Sequence, residues 1–292
     1  MIDEREAFLA VVNARGFTAA ANRLNTTPAA VSRRVKALEE RLGIRLLQRT
    51  TRKVRLTSAG ESYFADLQRI VHELNSVEDE LSEASGKLSG DLKIAAPVSF
   101  GQRRLSKTVA TFAKAHPAVK LSTLLDDKQT DLISEGIDVA IRISHLLDSS
   151  LIARPITPIQ KYICASPEYI ERMGQPETIT DLLKHHCLHY SQVSEREEWK
   201  FKTSKGEQSL SINPRYCSNN GDVLADMACE GLGITILPDF IVEEALATGK
   251  LVRLLKAAEL VPLTLSVVYP SRKHLSARVK ALVDHLINKL SD

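Results

Sequence analysis

Cysteine is sparse in this chain, tryptophan occurs once, and aromatic residues make up only 5% of the 292 positions. The four cysteines (Cys164, Cys187, Cys217 and Cys229) form no Cys-x-x-Cys pair, so neither a paired metal motif nor a disulfide framework is written here. No apolar run approaches the roughly 20 residues that span a bilayer. The opening MIDEREAF is acidic, where a signal peptide would be basic and then apolar. These absences predict a cytoplasmic protein with reduced thiols and no membrane partner. A Gly-rich phosphate loop and a G-x-S-x-G elbow are also missing, which leaves an α/β enzyme without support. Hydrophobic residues at 43% and charged residues at 26% are ordinary for a globular chain. The length accommodates two or three domains.

Charge is what the chain distributes unevenly. The formal net charge is only +3, yet between Arg23 and Arg55 ten basic residues (Arg23, Arg33, Arg34, Lys36, Arg41, Arg45, Arg49, Arg52, Lys53 and Arg55) face only Glu39 and Glu40. Such clustering is the electrostatic footprint of a segment that docks on phosphate. The same stretch reads as helix-turn-helix. Thr18 can cap a first helix that buries Ala21 and Leu24, Asn25 and Thr26 form the turn, and Thr27 caps a second helix with Pro28 at its first position. Val31, Val35, Leu38 and Leu42 then make one apolar stripe, and Gly43 ends the helix. Ser32, Arg33 and Lys36 fall outward, where Arg suits bidentate recognition of guanine in the major groove. Beyond it, Arg49-Thr50-Thr51-Arg52-Lys53-Val54-Arg55-Leu56 alternates β-formers around a basic tip, the pattern of a winged hairpin reaching phosphate or the minor groove.

Residues 1 to about 60 resemble the winged helix-turn-helix of LysR-type transcriptional regulators. The likeness rests on Phe17-Thr18-Ala19-Ala20-Ala21, Leu24, Val31-Ser32-Arg33, Ala37-Leu38-Glu39, Leu42-Gly43, Arg49-Thr50-Thr51-Arg52, Leu56-Thr57 and Ala59-Gly60, and it continues to the C-terminus. Two positions depart from the family: Arg15-Gly16 stands where Gly-Ser is usual, and Pro28-Ala29 where Gln-Pro is common. A glutamine base contact therefore does not transfer. The expected DNA-binding residues are Thr18, Thr27, Pro28, Ala29, Ser32, Arg33, Arg34, Lys36, Arg49, Thr50, Arg52 and Lys53.

After the wing, Ser58-Ala59-Gly60-Glu61 reads as a capping box opening a long helix. Tyr63, Leu67, Ile70, Leu74, Val77 and Leu81 recur as a heptad seam. Between Leu56 and Gly90 seven acids meet only Arg69 and Lys87, so the outer face is acidic. A seam this long argues for a partner helix, with packing on its own domain as the alternative. The resemblance implies a linker helix that dimerises, and tetramers are frequent in the family. Two binding heads fit a pseudo-palindromic promoter site on double-stranded DNA, and the resemblance adds RNA polymerase as a partner. Ser85-Gly86-Lys87-Leu88-Ser89-Gly90 marks a boundary. From Asp91 onward 25 basic residues meet 24 acidic ones, so this part is not the nucleic-acid surface.

That second part alternates strands (Leu92–Ala96, Val119–Leu125, Val139–Ile143, Tyr162–Ala165, Gly233–Leu237, Leu263–Tyr269) with helices near Arg103–Ala115, Thr130–Glu135, Asp222–Glu230 and Leu275–Leu290. This predicts an α/β domain with mainly parallel sheet. The resemblance implies two lobes like a periplasmic binding protein, crossed near Gln160–Ala165 and Leu263–Tyr269. The expected fold is thus multidomain: an α-rich winged helix-turn-helix domain (1–58), a linker helix (59–87) and a two-lobed α/β effector-binding domain (91–292). Lobe I takes about 91–161 plus 268–292, and lobe II about 162–267.

A small-molecule effector is expected between the lobes, beyond the strand ends. Val98, Ser99 and Phe100 follow the first strand, and Ser99 can cap a helix or, as the resemblance implies, contact the effector. Asp126 follows the next strand and repels a carboxylate at short range, which favours a neutral, cationic or amphoteric ligand. Ser166, Asn219 and Asn220 are loop-end polar residues that serve the cleft or simply cap and turn. His185-His186-Cys187-Leu188-His189 has no second ligand cluster and reads as packing, so no metal or cofactor is expected. Cys217 and Cys229 raise a thiol-based oxidant sensor as an alternative, which the resemblance makes conceivable. Cys229 beside Met227 and Ala228 instead reads as a buried inert thiol.

Overall fold

The structure is a computed structural model that describes residues 3–49, 54–83, 88–128, 131–133, 135–144, 151–191, 198–203, 206–270 and 275–291. The chain divides into two compact units, Met1–Leu81 with Ile133–Gly136 and Ser82–Leu132 with Ile137–Asp292.

The first unit contains α1 (Glu4–Asn13), α2 (Phe17–Arg23), α3 (Pro28–Leu42), β1 (Leu47–Arg49), β2 (Val54–Leu56) and most of α4 (Ser58–Glu83). The Thr27 hydroxyl caps α3 by accepting the Ala30 N–H at 3.2 Å, and Gly43 ends it at φ +68°. Val31, Val35 and Leu38 are buried with Phe8, Val11, Ala20 and Ala21, while Leu42, the expected last member of the stripe, is exposed. Arg41 reaches Glu4 of α1 at 3.0 Å. Glu39 Oε1 accepts the N–H groups of Leu46 and Leu47 at 2.8 and 3.0 Å, so the C-terminal turn of α3 sets where β1 begins. The two strands pair antiparallel, Leu47 opposite Leu56 and Arg49 opposite Val54.

Two capping expectations are corrected here. Gly16, not Thr18, stands at the α2 N-cap, without a side-chain bond. Thr57, one residue before the expected Ser58, caps α4: its hydroxyl accepts the Gly60 N–H at 3.0 Å. The seam of α4 also divides its work. Tyr63, Phe64, Leu67 and Val71 pack on the unit's own core, whereas Ile70 and Leu74 are 52% and 56% exposed. The side chains of Val77 and Leu81 lie outside the described residues.

In the second unit the chain builds one lobe, crosses to another and returns. Lobe I opens with β3 (Gly90–Ala96), α5 (Val98–Phe100), a π turn (Gly101–Leu105), α6 (Ser106–Ala115), β4 (Val119–Leu125), β5 (Val139–Ser144) and β6 (Leu151–Ile159). Lobe II contains β7 (Lys161–Ala165), α7 (Pro167–Met173), β8 (Cys187–Tyr190), the hairpin β9 (Glu198–Thr203) and β10 (Gly206–Ser211), β11 (Pro214–Ser218), α8 (Gly221–Cys229), β12 (Ile234–Pro238), α9 (Asp239–Ala247), β13 (Val252–Arg253) and β14 (Glu259–Leu260). Finally β15 (Leu263–Pro270) and α10 (Ala277–Leu290) rejoin lobe I.

The lobe I sheet runs β4-β3-β5-β15-β6 and the lobe II sheet β11-β8-β12-β7-β13, with β10-β9-β14 as a separate small sheet. Both large sheets are mixed rather than mainly parallel. β3 is parallel to β4 and β5, but the returning β15 is antiparallel to β5 and β6. In lobe II, β8 is parallel to β11 and β12, while β7 is antiparallel to β12 and β13. The crossings are the short connections at Gln160 and at 261–262, not the strands themselves. β15 lies wholly in lobe I, pairing Leu263 with Ile159 and Pro270 with Leu151, because Leu263, Leu265 and Val267 are needed in that core. Lobe I therefore resumes at 263, earlier than the expected 268. The helix expected near Thr130–Glu135 is replaced, over its described residues, by turns that end in Gly136 at φ +62°. One core cluster joins the lobes, with Phe100 edge-on to Phe240 at 5.4 Å between ring centroids.

Candidate nucleic-acid interface and interlobe site

On α3 the residues opposite the buried stripe form one face. Thr27, Pro28, Ala29, Arg33 and Lys36 are exposed, and Ser32 and Arg34 are half-buried beside them. Lys36 makes an exposed i,i+4 pair with Glu40 at 3.4 Å, a weak tether that leaves the ammonium available. Thr18 is exposed in the first turn of α2. Arg49 ends β1, and its side chain lies outside the described residues, as do Thr50, Arg52 and Lys53. One basic residue outside the expected set is also exposed in this unit. Arg55 is exposed between half-buried Val54 and Leu56, so strand alternation turns it away from the core, a signal readable from period two alone.

The interlobe site is built from charge and amide groups. The buried Ser99 hydroxyl, 5% exposed, donates to Asp222 Oδ2 of lobe II at 2.6 Å. Arg103 lies four residues on, within the π turn, and donates from Nε to Asp222 Oδ1 at 2.9 Å, with Nη2 also 2.9 Å from that oxygen in the ion pair. Gly101 sits between them against Leu125, where an added Cβ would fall 2.3 Å from the leucine Cδ2. Asn220 caps α8 by accepting the N–H groups of Asp222 and Val223 at 3.0 and 3.2 Å. Its Nδ2 donates across the cleft to Asp127 Oδ2 at 3.3 Å. Asp127 Oδ1 meanwhile accepts the Val98 N–H at 3.0 Å. Burial, and then the adjacent Asp127 carboxylate, hold the Tyr190 hydroxyl protonated above its ordinary range. Arg104 pairs with Glu243 at the rim.

The expected effector residues thus separate. Val98, Ser99 and Asn220 take part in the polar contacts between the lobes, whereas Phe100 is buried in the core against Phe240. Asp126 is exposed and accepts the Lys128 N–H at 2.9 Å. It lines a small cavity of about 90 Å³ at the carboxyl ends of β3, β4 and β5, with Ala95, Pro97, Arg142 and Ser144. Its neighbour Asp127 is the one that bridges the lobes. Ser166 is buried and caps α7 through the Tyr169 N–H at 3.2 Å, and Asn219 is exposed. Asp222 and Arg103 were not among the expected residues, because nothing in one strand of sequence signals a pair 119 positions apart.

The histidine run serves packing. The Tyr169 hydroxyl meets His185 Nδ1 at 3.2 Å and accepts the His186 N–H at 2.9 Å, and no metal-holding cluster occurs among the described residues. All four cysteines are free. Cys217 is exposed, whereas burial raises the Cys229 thiol and pushes Cys164 up to about 12. No helix among the described residues is long and apolar enough to cross a membrane.

Residues 2–61 match the bacterial regulatory helix-turn-helix protein family described as lysR, and residues 85–291 match the LysR substrate binding domain. The chain belongs to the LysR family. It is a LysR-type DNA-binding transcriptional regulator with an effector-binding domain, and its winged unit and two-lobed α/β unit are those of the family. An uncharacterized HTH-type transcriptional regulator of Haemophilus influenzae is 37% identical over 275 residues, covering 94% of this chain and 96% of its own. The Escherichia coli regulator DmlR is 33% identical over 290 residues, covering 98% and 93%. Among solved LysR-type structures, the full-length Vibrio cholerae virulence activator AphB superposes with a TM-score of 0.66 at 29% identity, covering 99% of each chain. CrgA of Neisseria meningitidis gives 0.64 at 32%, covering 99% and 98%.

Proposed function

We propose that α3 enters the major groove of a pseudo-palindromic promoter site and that a small-molecule effector held between the lobes controls the outcome. The observation that carries the second half is the polar set joining the lobes: Ser99 and Arg103 on Asp222, and Asp127 on Asn220. Such a network has two arrangements, joined and parted, so a ligand that prefers one of them shifts the balance. On this reading the exposed Arg33 reads base edges, with Ser32 and Arg34 at its flanks and Thr27, Pro28 and Ala29 at the helix start. Lys36, Arg55 and the wing residues Arg49, Thr50, Arg52 and Lys53 supply phosphate contacts, which position the protein without specifying sequence.

The exposed Ile70 and Leu74 on α4 support dimerisation through the linker helix, and two heads then read two half-sites. Tetramer assembly and contact with RNA polymerase extend the same reading, in the cytoplasm and without catalysis. The test is a footprint on the protein's own promoter DNA, repeated against a metabolite library. A ligand at a hundredfold its dissociation constant stabilises the protein by about 2.7 kcal/mol, so hits register first as thermal shifts. A ligand that moves the footprint in the wild type and loses its effect with Asn220→Ala supports the cleft. A library-wide absence of any shift counts against effector control.

A further inference from the structure

The geometry points to Asp222 as a tethered carboxylate filling a carboxylate-binding site made by Ser99 and Arg103, a site that a small free carboxylate takes when the lobes part. This deepens the interlobe reading and rests on it. Both donors belong to lobe I. A hydroxyl binds one oxygen of the Asp222 carboxylate at 2.6 Å and a guanidinium binds the other at 2.9 Å, a donor set complementary to both oxygens of a carboxylate. The occupant comes from the opposite lobe. Asp222 is held by its backbone in the first turn of α8 through the Asn220 cap, so it withdraws with lobe II as a body.

When it withdraws, lobe I retains a buried hydroxyl and a guanidinium that has lost its ion pair. Among the described residues, Asp222 is the only acid paired with Arg103. Asp127, the other carboxylate of the cleft, is engaged by Val98, Asn220 and Tyr190. It stays on lobe I and does not take Asp222's place. A free monocarboxylate therefore competes with Asp222 for the same hydroxyl and guanidinium donors and holds the lobes apart, the reverse of a ligand that clasps them. The chain's own carboxylate sets the threshold. The apparent dissociation constant of a free carboxylate is raised by the inverse of the fraction of molecules in which Asp222 has left.

The experiment titrates full-length protein with sodium acetate against sodium chloride at equal ionic strength, followed by calorimetry. The wild type is expected to bind acetate weakly, and Asp222→Ala to bind it at least about tenfold more tightly, the occupied fraction of the site having been removed. Adding Ser99→Ala to Asp222→Ala should abolish that gain. Asp222→Asn, which keeps the size of the side chain, repeats the test should the alanine variant fail to fold, as judged by circular dichroism. An acetate affinity unchanged in both Asp222 variants overturns the proposal, as does a gain that survives loss of the Ser99 hydroxyl. The outcome separates from that of effector control. An acetate gain that leaves the DNA footprint unmoved sustains the tethered carboxylate and removes the effector reading. A metabolite that shifts the footprint while neither variant gains acetate affinity does the opposite.

Discussion

Gly60→Ala inverts an ordinary expectation and so tests the packing of the DNA-binding unit sharply. Gly60 lies in the first turn of α4, where replacing glycine by alanine normally stabilises a helix by about 1 kcal/mol. Here the added Cβ would fall 2.0 Å from the Leu46 carbonyl oxygen, 2.9 Å from its carbon and 3.1 Å from Leu56 Cδ2. The first two are backbone atoms and cannot rotate aside. The same carbonyl accepts the Thr57 N–H at 3.0 Å, so moving it also loosens the α4 cap. Overpacking of this kind costs about 1–3 kcal/mol, and a clash with backbone belongs at or beyond the upper end. The net expectation is destabilisation by about 2 kcal/mol, lowering the midpoint of an 80-residue unit by about 8–16 °C.

The assay is selective by construction. Trp199, the single tryptophan, is buried in lobe II, so its fluorescence follows the regulatory unit, while the early loss of helical dichroism follows the DNA-binding unit. The helical transition should fall and the tryptophan transition should hold. Gly16→Ser is the control: nothing lies within 4 Å of a Cβ there, and a serine at the α2 N-cap should stabilise by a few tenths of a kcal/mol. A Gly60→Ala variant as stable as the wild type would refute the close approach of α4 to the Leu46 carbonyl, one residue before β1.

Four further expectations are open to measurement. Arg33→Ala should lower affinity for the specific site by about 1–3 kcal/mol and relax one base position, whereas Arg55→Ala should weaken all sequences alike and reduce the salt slope by about one; a reversed pattern in competitive binding assays would exchange their roles. Burial raises the Asp138 carboxyl to about 6; a raised folded-state value makes its contribution full below about pH 4 and lost as pH climbs through 6. Asp138→Asn should therefore gain stability on the wild type between those values, and parallel pH profiles would contradict the assignment. Ile70→Glu with Leu74→Glu should dissociate the oligomer in sedimentation equilibrium without unfolding the protein, because both side chains are already exposed in one chain. Cys217→Ser with Cys229→Ser should leave regulation intact, and loss of a peroxide response in that variant would revive the thiol sensor.

Periodicity carried the elements whose spacing is local. The stripe of α3, its Thr27-Pro28 start and Gly43 stop, and the strands at 92–96, 119–125 and 139–143 are all fixed by residues within a few positions of one another. Where the outcome depended on distant partners, sequence pattern misjudged it. The apolar run at 263–269 reads as a strand, but nothing local says that its whole length is claimed by the lobe I core. The seam of α4 shows the same limit. One heptad pattern serves two surfaces, since Leu67 meets the helix-turn-helix core and Ile70 and Leu74 do not. Glu39 is a third case: it looks like one more solvated acid among basic residues, yet its carboxylate holds the start of β1.

The interlobe site was legible on the lobe I side because chain direction alone places it there. Residues that follow a strand of an α/β sheet lie at the carboxyl end, which brings Val98 and Ser99 to the cleft. Choosing between Asp126 and Asp127 required more. β4 ends at Leu125, and alternation no longer governs the side chains beyond it. The Asp126 N–H closes back on the Ala96 carbonyl at 3.1 Å, and its carboxylate folds onto the Lys128 N–H, so the next residue faces lobe II. The charge argument made for Asp126 therefore shifts by one position and gains a second member. Two carboxylates stand in the cleft, Asp127 and Asp222, each already supplied with donors by the chain itself. A free anion entering that cleft meets donors that are spoken for. On the interlobe reading proposed above, its binding is then coupled to loss of the Asp222 contacts with Ser99 and Arg103.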